Sequence, residues 1–402
     1  MTGPAWHKRL LEQEEARSAR NLSRFVTSVE PKPNGRLELS GSQTVIDLSS
    51  NDYLGLSRHP EVIAGAQEAV ERYGTGARAS PLVTGYHALM GELGVEVAKF
   101  KGGICGTIFP SGYQANLALL STVLEADDAV FLDRLAHASL VDGVRLSPAR
   151  LRVFPHNDLN RLEELLKGAS KAPARWILVD GIYSMDGDFA PLPELLALAY
   201  RYDATVVMDD AHGTGVVGPN GRGTAEHFGV NPDDHYDRLI VVATLSKALG
   251  SQGGVICSEP YGTGLTDALM NARPYAYSTG LSPAAAGAAL AALRLIQREP
   301  ELPRRLCAVA SEIRAEMRAA GLNVLGNDTP IIPIVVGEPA KALALSGRLR
   351  TKGVLVMPIR PPTVPRGTSR LRLTVNSAID NDSLRSACRL VIELCCRTES
   401  RG

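Results

Sequence analysis

From about Asn51 onward the chain alternates helical stretches with short β-branched runs: Thr107 to Phe109, Ala129 to Leu132, Trp176 to Val179, Thr205 to Met208, Leu239 to Ala243 and Gly254 to Cys257. Strands separated by helices rather than tight turns pair through crossovers, which makes them parallel and covers both faces of the sheet. The expected fold class is therefore α/β, with a mainly parallel central sheet in a large domain. After Ser282 and Pro283 the pattern changes. An alanine-rich helix to about Gln297 precedes short strands at Ile331 to Val336, Val354 to Met357 and Arg370 to Thr374, separated by helices at Ala340 to Arg350 and Asp382 to Cys396. This reads as a smaller C-terminal α+β domain. Upstream, a polar helix around Leu10, Leu11 and Ala16 is followed by a break at Pro31 to Gly35 and an apolar-alternating stretch from Leu37 to Ile46. Residues 1–47 are thus expected as an arm, 48–281 as the large domain, and 282–402 as connector helix and small domain.

A length of 402 residues accommodates roughly two to three folding units at about 150 residues each, and 45% hydrophobic content supports a large core. Lys plus Arg (43) balances Asp plus Glu (43), with no dense basic block to neutralise phosphates, so no nucleic-acid partner is expected. The six cysteines (Cys105, Cys257, Cys307, Cys388, Cys395, Cys396) show neither a C-x-x-C pair nor zinc-site spacing. No metal is expected, and a reduced, cytoplasmic setting fits. The charged N-terminal stretch through Glu12, Glu14, Glu15 and Arg17 is unlike a signal peptide, and the apolar run Ala284 to Leu293 is well short of the ~20 residues that cross a bilayer. No membrane span is expected.

Gly213 to Gly218 reads G-x-G-x-x-G and follows the run Thr205 to Met208, as a dinucleotide site requires. Pro219, Asn220 and Gly221 then interrupt any helix that would face a pyrophosphate, and Asp209 to His212 separates strand from glycines. A nucleotide-binding oxidoreductase is accordingly the minor alternative.

Three polar groups in the same region fit another cofactor. Asp209 ends a strand of buried character, His212 follows three residues later, and Lys247 lies 38 positions beyond Asp209, about one βαβ unit away. Strand ends of an open α/β sheet gather ligands along one rim. An amine among apolar neighbours such as Leu245, Ala248 and Leu249 loses hydration, and an amine shifted from about 10.4 towards neutrality attacks an aldehyde. An aspartate facing a pyridine nitrogen keeps that ring protonated and able to accept electrons. Together these groups indicate pyridoxal 5'-phosphate (PLP). Singly, Asp209 and Asp210 also read as a turn or capping pair, Lys247 as a loop lysine and His137 as a core histidine. A phosphate seat is available at Pro110 to Asn116, where a strand turns into a helix whose free N–H groups and dipole favour an anion by about 0.3–1 kcal/mol, although a serine N-cap has the same pattern.

The combination resembles the α-oxoamine synthases, fold-type I PLP enzymes that join an amino acid to an acyl thioester with loss of CO2. The matching stretches are Ser50 to Leu56 (SNDYLGL), Asp133 to Leu140 (DRLAHASL), Tyr183 to Asp188 (YSMDGD), Asp209 to Gly215 (DDAHGTG) and Thr244 to Gly250 (TLSKALG). Similarity runs from about Leu48 to the C-terminal helix, and Arg360 to Leu373 is most like the biotin-pathway branch that uses L-alanine and a pimeloyl thioester of coenzyme A or acyl carrier protein. The resemblance implies a homodimer in which Lys247 carries the cofactor, Asp209 pairs with its ring nitrogen, His212 and Ser184 contact its ring oxygen, and His137 stacks on its face. Gly112, Tyr113 and Thr244 would border the phosphate, with Ser278 and Thr279 completing the cradle across the dimer. Arg372, with Asn51, would take the amino-acid carboxylate; Arg20 or Arg24, Arg360 and Thr363 would contact substrate. Close rivals share the chemistry: glycine with acetyl or succinyl thioesters, or serine with a long acyl chain.

Overall fold

The computed structural model describes residues 4–41, 43–103, 105–258 and 264–399, and its contacts divide the chain into two units. One comprises Asn51–Ser184 and Asp188–Cys307; the other joins Met1–Ser50, Met185–Gly187 and Ala308–Gly402.

The first unit is built on a seven-stranded sheet in the spatial order Cys105–Phe109, Gly254–Ser258, Leu239–Thr244, Thr205–Asp209, Arg175–Asp180, Ala129–Asp133 and Arg150–Phe154. Gly254–Ser258 runs antiparallel to both its neighbours, while the remaining pairings are parallel. Each of the six expected runs lies within a strand. The seventh, Arg150–Phe154, is an edge strand whose Arg150 and Val153 face solvent, so it carries no buried apolar signature. In the centre, Leu239–Thr244 and Ala129–Asp133 are buried along their whole length, as both-sided cover by helices demands. Val206, Val207 and Met208 are fully buried, each contributing roughly 1.5–3 kcal/mol of apolar transfer. Because these strands point the same way, their polar last residues Asp133, Asp180, Asp209 and Thr244 lie along one rim, with Asp180 and Asp209 directly paired in register.

The glycine motif beyond that rim has a different use. Asp210 is fully buried, ion-paired to Lys101, and accepts from the Thr224 hydroxyl at 2.6 Å and the Thr224 N–H at 3.2 Å. Lys101 also donates to Thr214 Oγ1 at 3.1 Å and to the Arg222 carbonyl. A Cβ on Gly213 would lie 2.1 Å from Asp210 Oδ1, so this glycine lets the loop close on its own ion pair, and turns rather than a helix follow it.

The second unit contains two sheets. Val29–Lys32, Arg36–Leu39 and Gln43–Asp47 form an antiparallel meander that Val354–Leu355 extends in parallel, through Ile46 N–H to Gly353 O at 2.8 Å and Leu48 N–H to Leu355 O at 3.0 Å. The N-terminal segment and the C-terminal region therefore share a sheet, a pairing across some 300 residues that no local pattern reveals. The expected single strand Val354 to Met357 divides at the fully buried Val356: Met357–Ile359 joins Ser369–Thr374 and Ile331–Gly337 in a three-stranded antiparallel sheet. Helices Pro339–Thr351 and Asn381–Glu399 fall where expected. Helix Glu301–Ala319 was not anticipated; its buried Arg314 donates to the carbonyls of Leu325, Thr329 and Ile331 at 2.7–2.9 Å.

All six cysteines are free, and among the described residues no helix is long and apolar enough to cross a membrane and no metal-ligating cluster exists. Removing one partner of the Lys101–Asp210 pair leaves a buried charge unmatched. Lys101→Met is expected to lower stability by about 3–5 kcal/mol, read as a shift in the urea unfolding midpoint.

Candidate active site

A cavity of about 230 Å³ opens at the polar rim of the seven-stranded sheet. Strand ends supply Asp180, Asp209 and Thr244; the turns after them supply Ala211, His212, Ser246 and Lys247; and two helix N-termini supply Ser111, Gly112 and Tyr113, and His137 and Ser139. Lys247, Asp209, His137, His212, Gly112, Tyr113 and Thr244 thus share one wall system although they come from distant parts of the chain.

Asp209 is 8% exposed and held by two donors, Asn116 Nδ2 to Oδ2 at 2.6 Å and the Ala211 N–H to Oδ1 at 3.0 Å. Its register partner Asp180 accepts the His137 N–H at 3.0 Å. Burial, and then the charge of Asp209, push the Asp180 carboxyl well above the usual carboxylate range. His137 caps helix Ala138–Leu146: its Nδ1 accepts the Ser139 N–H at 3.3 Å and lies 2.7 Å from Ser139 Oγ. Burial lowers its pKa; the Asp209 and Asp142 charges oppose that shift and the Lys247 charge reinforces it, leaving a neutral ring at pH 7. The Tyr113 ring stands edge-on to it at 6.3 Å. His212 is fixed through Nδ1 by the hydroxyl of buried Tyr53 at 2.6 Å.

The anion end is equally local in origin. Ser111 Oγ accepts from Gln114 N–H at 3.1 Å at the start of helix Gly112–Val123. The Gly112 and Tyr113 N–H groups have no acceptor among the described residues, which suits a phosphate. Beneath them a Cβ on Gly254 would come within 2.6 Å of Gly112 N and Ser111 O, so only glycine lets this turn sit on the sheet. An amine, a buried carboxylate, a neutral imidazole and open helix amides around one cavity are the donor set that PLP requires.

Other expected residues lie elsewhere. Ser184, Ser278 and Thr279 are not in the cavity lining; Ser278 Oγ accepts from Gln114 Nε2 at 3.2 Å. Asn51 Oδ1 is 3.4 Å from the Tyr53 hydroxyl. In the second unit, Arg24 donates to Thr363 Oγ1 at 2.9 Å, and Arg360 donates to the carbonyls of Asn21 and Ser23. Arg20 lines a separate cavity of about 610 Å³ with Arg366 and Glu338, and Arg372 is buried in strand Ser369–Thr374.

Sequence reasoning missed Asn116, Ser139, Tyr53, Asp180 and His156. Asp180 was detectable, since it terminates a buried run as Asp209 does. His156 was not: its Nδ1 reaches Asp133 at 3.0 Å and its Nε2 reaches Asp188 at 2.8 Å, contacts made only by the fold. Burial opposes charge on His156, but the two carboxylates outweigh it and hold the imidazolium up to about 10.

Fold and cavity together define a fold-type I PLP-dependent enzyme. The model of the family "Aminotransferase class I and II" matches residues 43–391. The 8-amino-7-oxononanoate synthase of Geobacter sulfurreducens is 44% identical over 91% of this chain and 92% of its own. Serine palmitoyltransferase holding its PLP internal aldimine superposes with a TM-score of 0.90 at 28% identity, covering 98% of each chain. The 8-amino-7-oxononanoate synthase of Francisella tularensis gives 0.73 at 28% identity, covering 87% of this chain and 97% of that one. The chain belongs to the class I and II aminotransferase family, within the α-oxoamine synthases that these relatives represent.

A histidine whose folded pKa is raised stabilises the fold fully below its unfolded value of 6.5 and loses that contribution as pH rises through about 10. The stability advantage of the wild type over His156→Gln, measured by urea unfolding at several pH values, should be largest near pH 6 and shrink progressively towards pH 10.

Proposed function

We propose that the protein condenses L-alanine with a pimeloyl thioester of coenzyme A or acyl carrier protein, giving 8-amino-7-oxononanoate, CO2 and the free thiol. A bond forms between the alanine α-carbon and the acyl carbonyl carbon, the C–S bond breaks, and the alanine carboxylate departs as CO2. The observation that carries this reading is the meeting of Lys247, Asp209 and His137 in one cavity of a chain so similar to curated 8-amino-7-oxononanoate synthases.

Bound PLP supplies an aldehyde that captures amines and a protonated ring that accepts the electron pair released at the amino-acid α-carbon. Lys247 would hold it covalently, and the Lys247 amine would be the base that takes the α-proton. Asp209 would face the ring nitrogen. The Gly112 and Tyr113 amides with Thr244 would seat the phosphate, and His137 would stack on the cofactor ring. His212, anchored by Tyr53, and Ser184 would contact the ring oxygen, as the family resemblance implies. We assign the amino-acid carboxylate to Arg372 and Asn51, and the acyl substrate to Arg20 or Arg24, Arg360 and Thr363, following the family resemblance. In the homodimer that the family resemblance implies, Ser278 and Thr279 would complete the neighbouring phosphate seat.

Serine with a long acyl thioester is the second reading, favoured by the closer backbone match to serine palmitoyltransferase; sequence identity to the curated relatives weighs against it. A purified-protein assay pairing alanine, glycine and serine with pimeloyl, acetyl, succinyl and palmitoyl thioesters separates these. Alanine with the pimeloyl donor should give the highest kcat/KM, and Lys247→Ala should lose about 10²–10⁴-fold in turnover. Preference for glycine plus acetyl-coenzyme A, or for serine plus the palmitoyl donor, contradicts the assignment.

A further inference from the structure

Asn116 is fully buried on helix Gly112–Val123 and is not part of the cavity lining. Its amide nitrogen donates twice: to Asp209 Oδ2 at 2.6 Å and to Ser139 Oγ at 2.8 Å. Its oxygen, equally buried, has no partner among the described residues. An amide turned the other way would aim that oxygen at the Asp209 carboxylate, acceptor against acceptor at 2.6 Å. The charge of Asp209 therefore dictates which way the amide points, and leaving Oδ1 unmatched, a cost of about 1–3 kcal/mol in general, is the lesser penalty.

The consequence travels one residue further. With its lone pair engaged by the Asn116 N–H, Ser139 Oγ has its own proton to give, and His137 Nδ1 lies 2.7 Å away, also receiving the Ser139 backbone N–H. Two donors converge on Nδ1, so Nδ1 carries no proton and the ring hydrogen resides on Nε2.

We propose that Asn116 is a positioning residue that couples the two cofactor-facing groups: through Ser139 it makes the ionised Asp209 select the Nε2–H tautomer and the ring orientation of His137. The chain Asp209–Asn116–Ser139–His137 links the residue facing the ring nitrogen to the one covering the ring face. The same four side chains thus set the charge at the ring's edge and the hydrogen-bond donor above it. This rests on the PLP reading above for its purpose, but not for its existence, because the hydrogen bonds belong to the protein alone.

The test follows the tautomer rather than turnover. Full-length protein labelled with 15N-histidine is compared with and without PLP, the His137 signals being assigned by their loss in His137→Asn. The wild type should show proton-free Nδ1 and protonated Nε2. Asn116→Ala should give a mixture of tautomers and weaken PLP binding by about tenfold, with a shifted visible absorption band of the bound cofactor. Ser139→Ala, which cuts the same chain one link later and leaves only the longer backbone N–H at 3.3 Å on Nδ1, should also loosen the tautomer, and it decides the matter if Asn116→Ala does not fold. A folded Asn116→Ala, or failing that Ser139→Ala, that keeps the wild-type tautomer and binds PLP within twofold of wild type overturns the proposal. A merely structural Asn116 would lower the melting temperature without moving either signal. A wild type that binds no PLP would instead overturn the cofactor reading while leaving the tautomer result to stand.

Discussion

A carboxylate almost out of water at the end of a buried strand is the constraint on which this site rests. Asp209 is kept there by donors from two other elements, the Asn116 amide and the Ala211 N–H, and its charge then orders its surroundings. It orients Asn116, adds to the burial that raises the proton affinity of the neighbouring Asp180 carboxyl, and opposes the loss of proton affinity that burial imposes on His137. Asp180 accepts the His137 N–H, and with its proton affinity raised by burial it tolerates the close approach of the Asp209 carboxylate.

The sheet makes this economical. Parallel strands deliver Asp133, Asp180, Asp209 and Thr244 to one edge, and the following turns and helix starts carry His137, His212, Lys247 and the open amides of Gly112 and Tyr113. The antiparallel strand Gly254–Ser258 contributes through what it lacks: a side chain at Gly254 would displace the turn that presents the Gly112 and Tyr113 amides. Next to the site, Lys101 and Asp210 show the other fate of buried charge, a fully enclosed pair whose role is to close the glycine-rich loop upon itself. That loop has the spacing of a nucleotide-binding motif but its interior is filled by its own carboxylate.

Much of this was readable from residue order. The six apolar runs became strands because complete burial leaves an uninterrupted β-branched signature, and Asp209, His212 and Lys247 could be placed at one rim by crossover length alone. What could not be read depends on non-local pairing. Arg150–Phe154 is an edge strand with a polar face, and the union of Gln43–Asp47 with Val354–Leu355 joins opposite ends of the chain. Asn116, Ser139 and His156 occupy unremarkable helix and loop positions, and their importance arises only when folding brings Asp209, His137, Asp133 and Asp188 within hydrogen-bonding distance of them.

The ε-amine at position 247 is the group proposed to capture the vitamin B6 aldehyde beside Asp209. Reduction with borohydride after loading with PLP, followed by peptide mapping, addresses this directly. A phosphopyridoxyl group on Lys247 and on no other lysine is the predicted outcome; protein that is fully loaded yet carries the label elsewhere, or nowhere, would contradict the central claim.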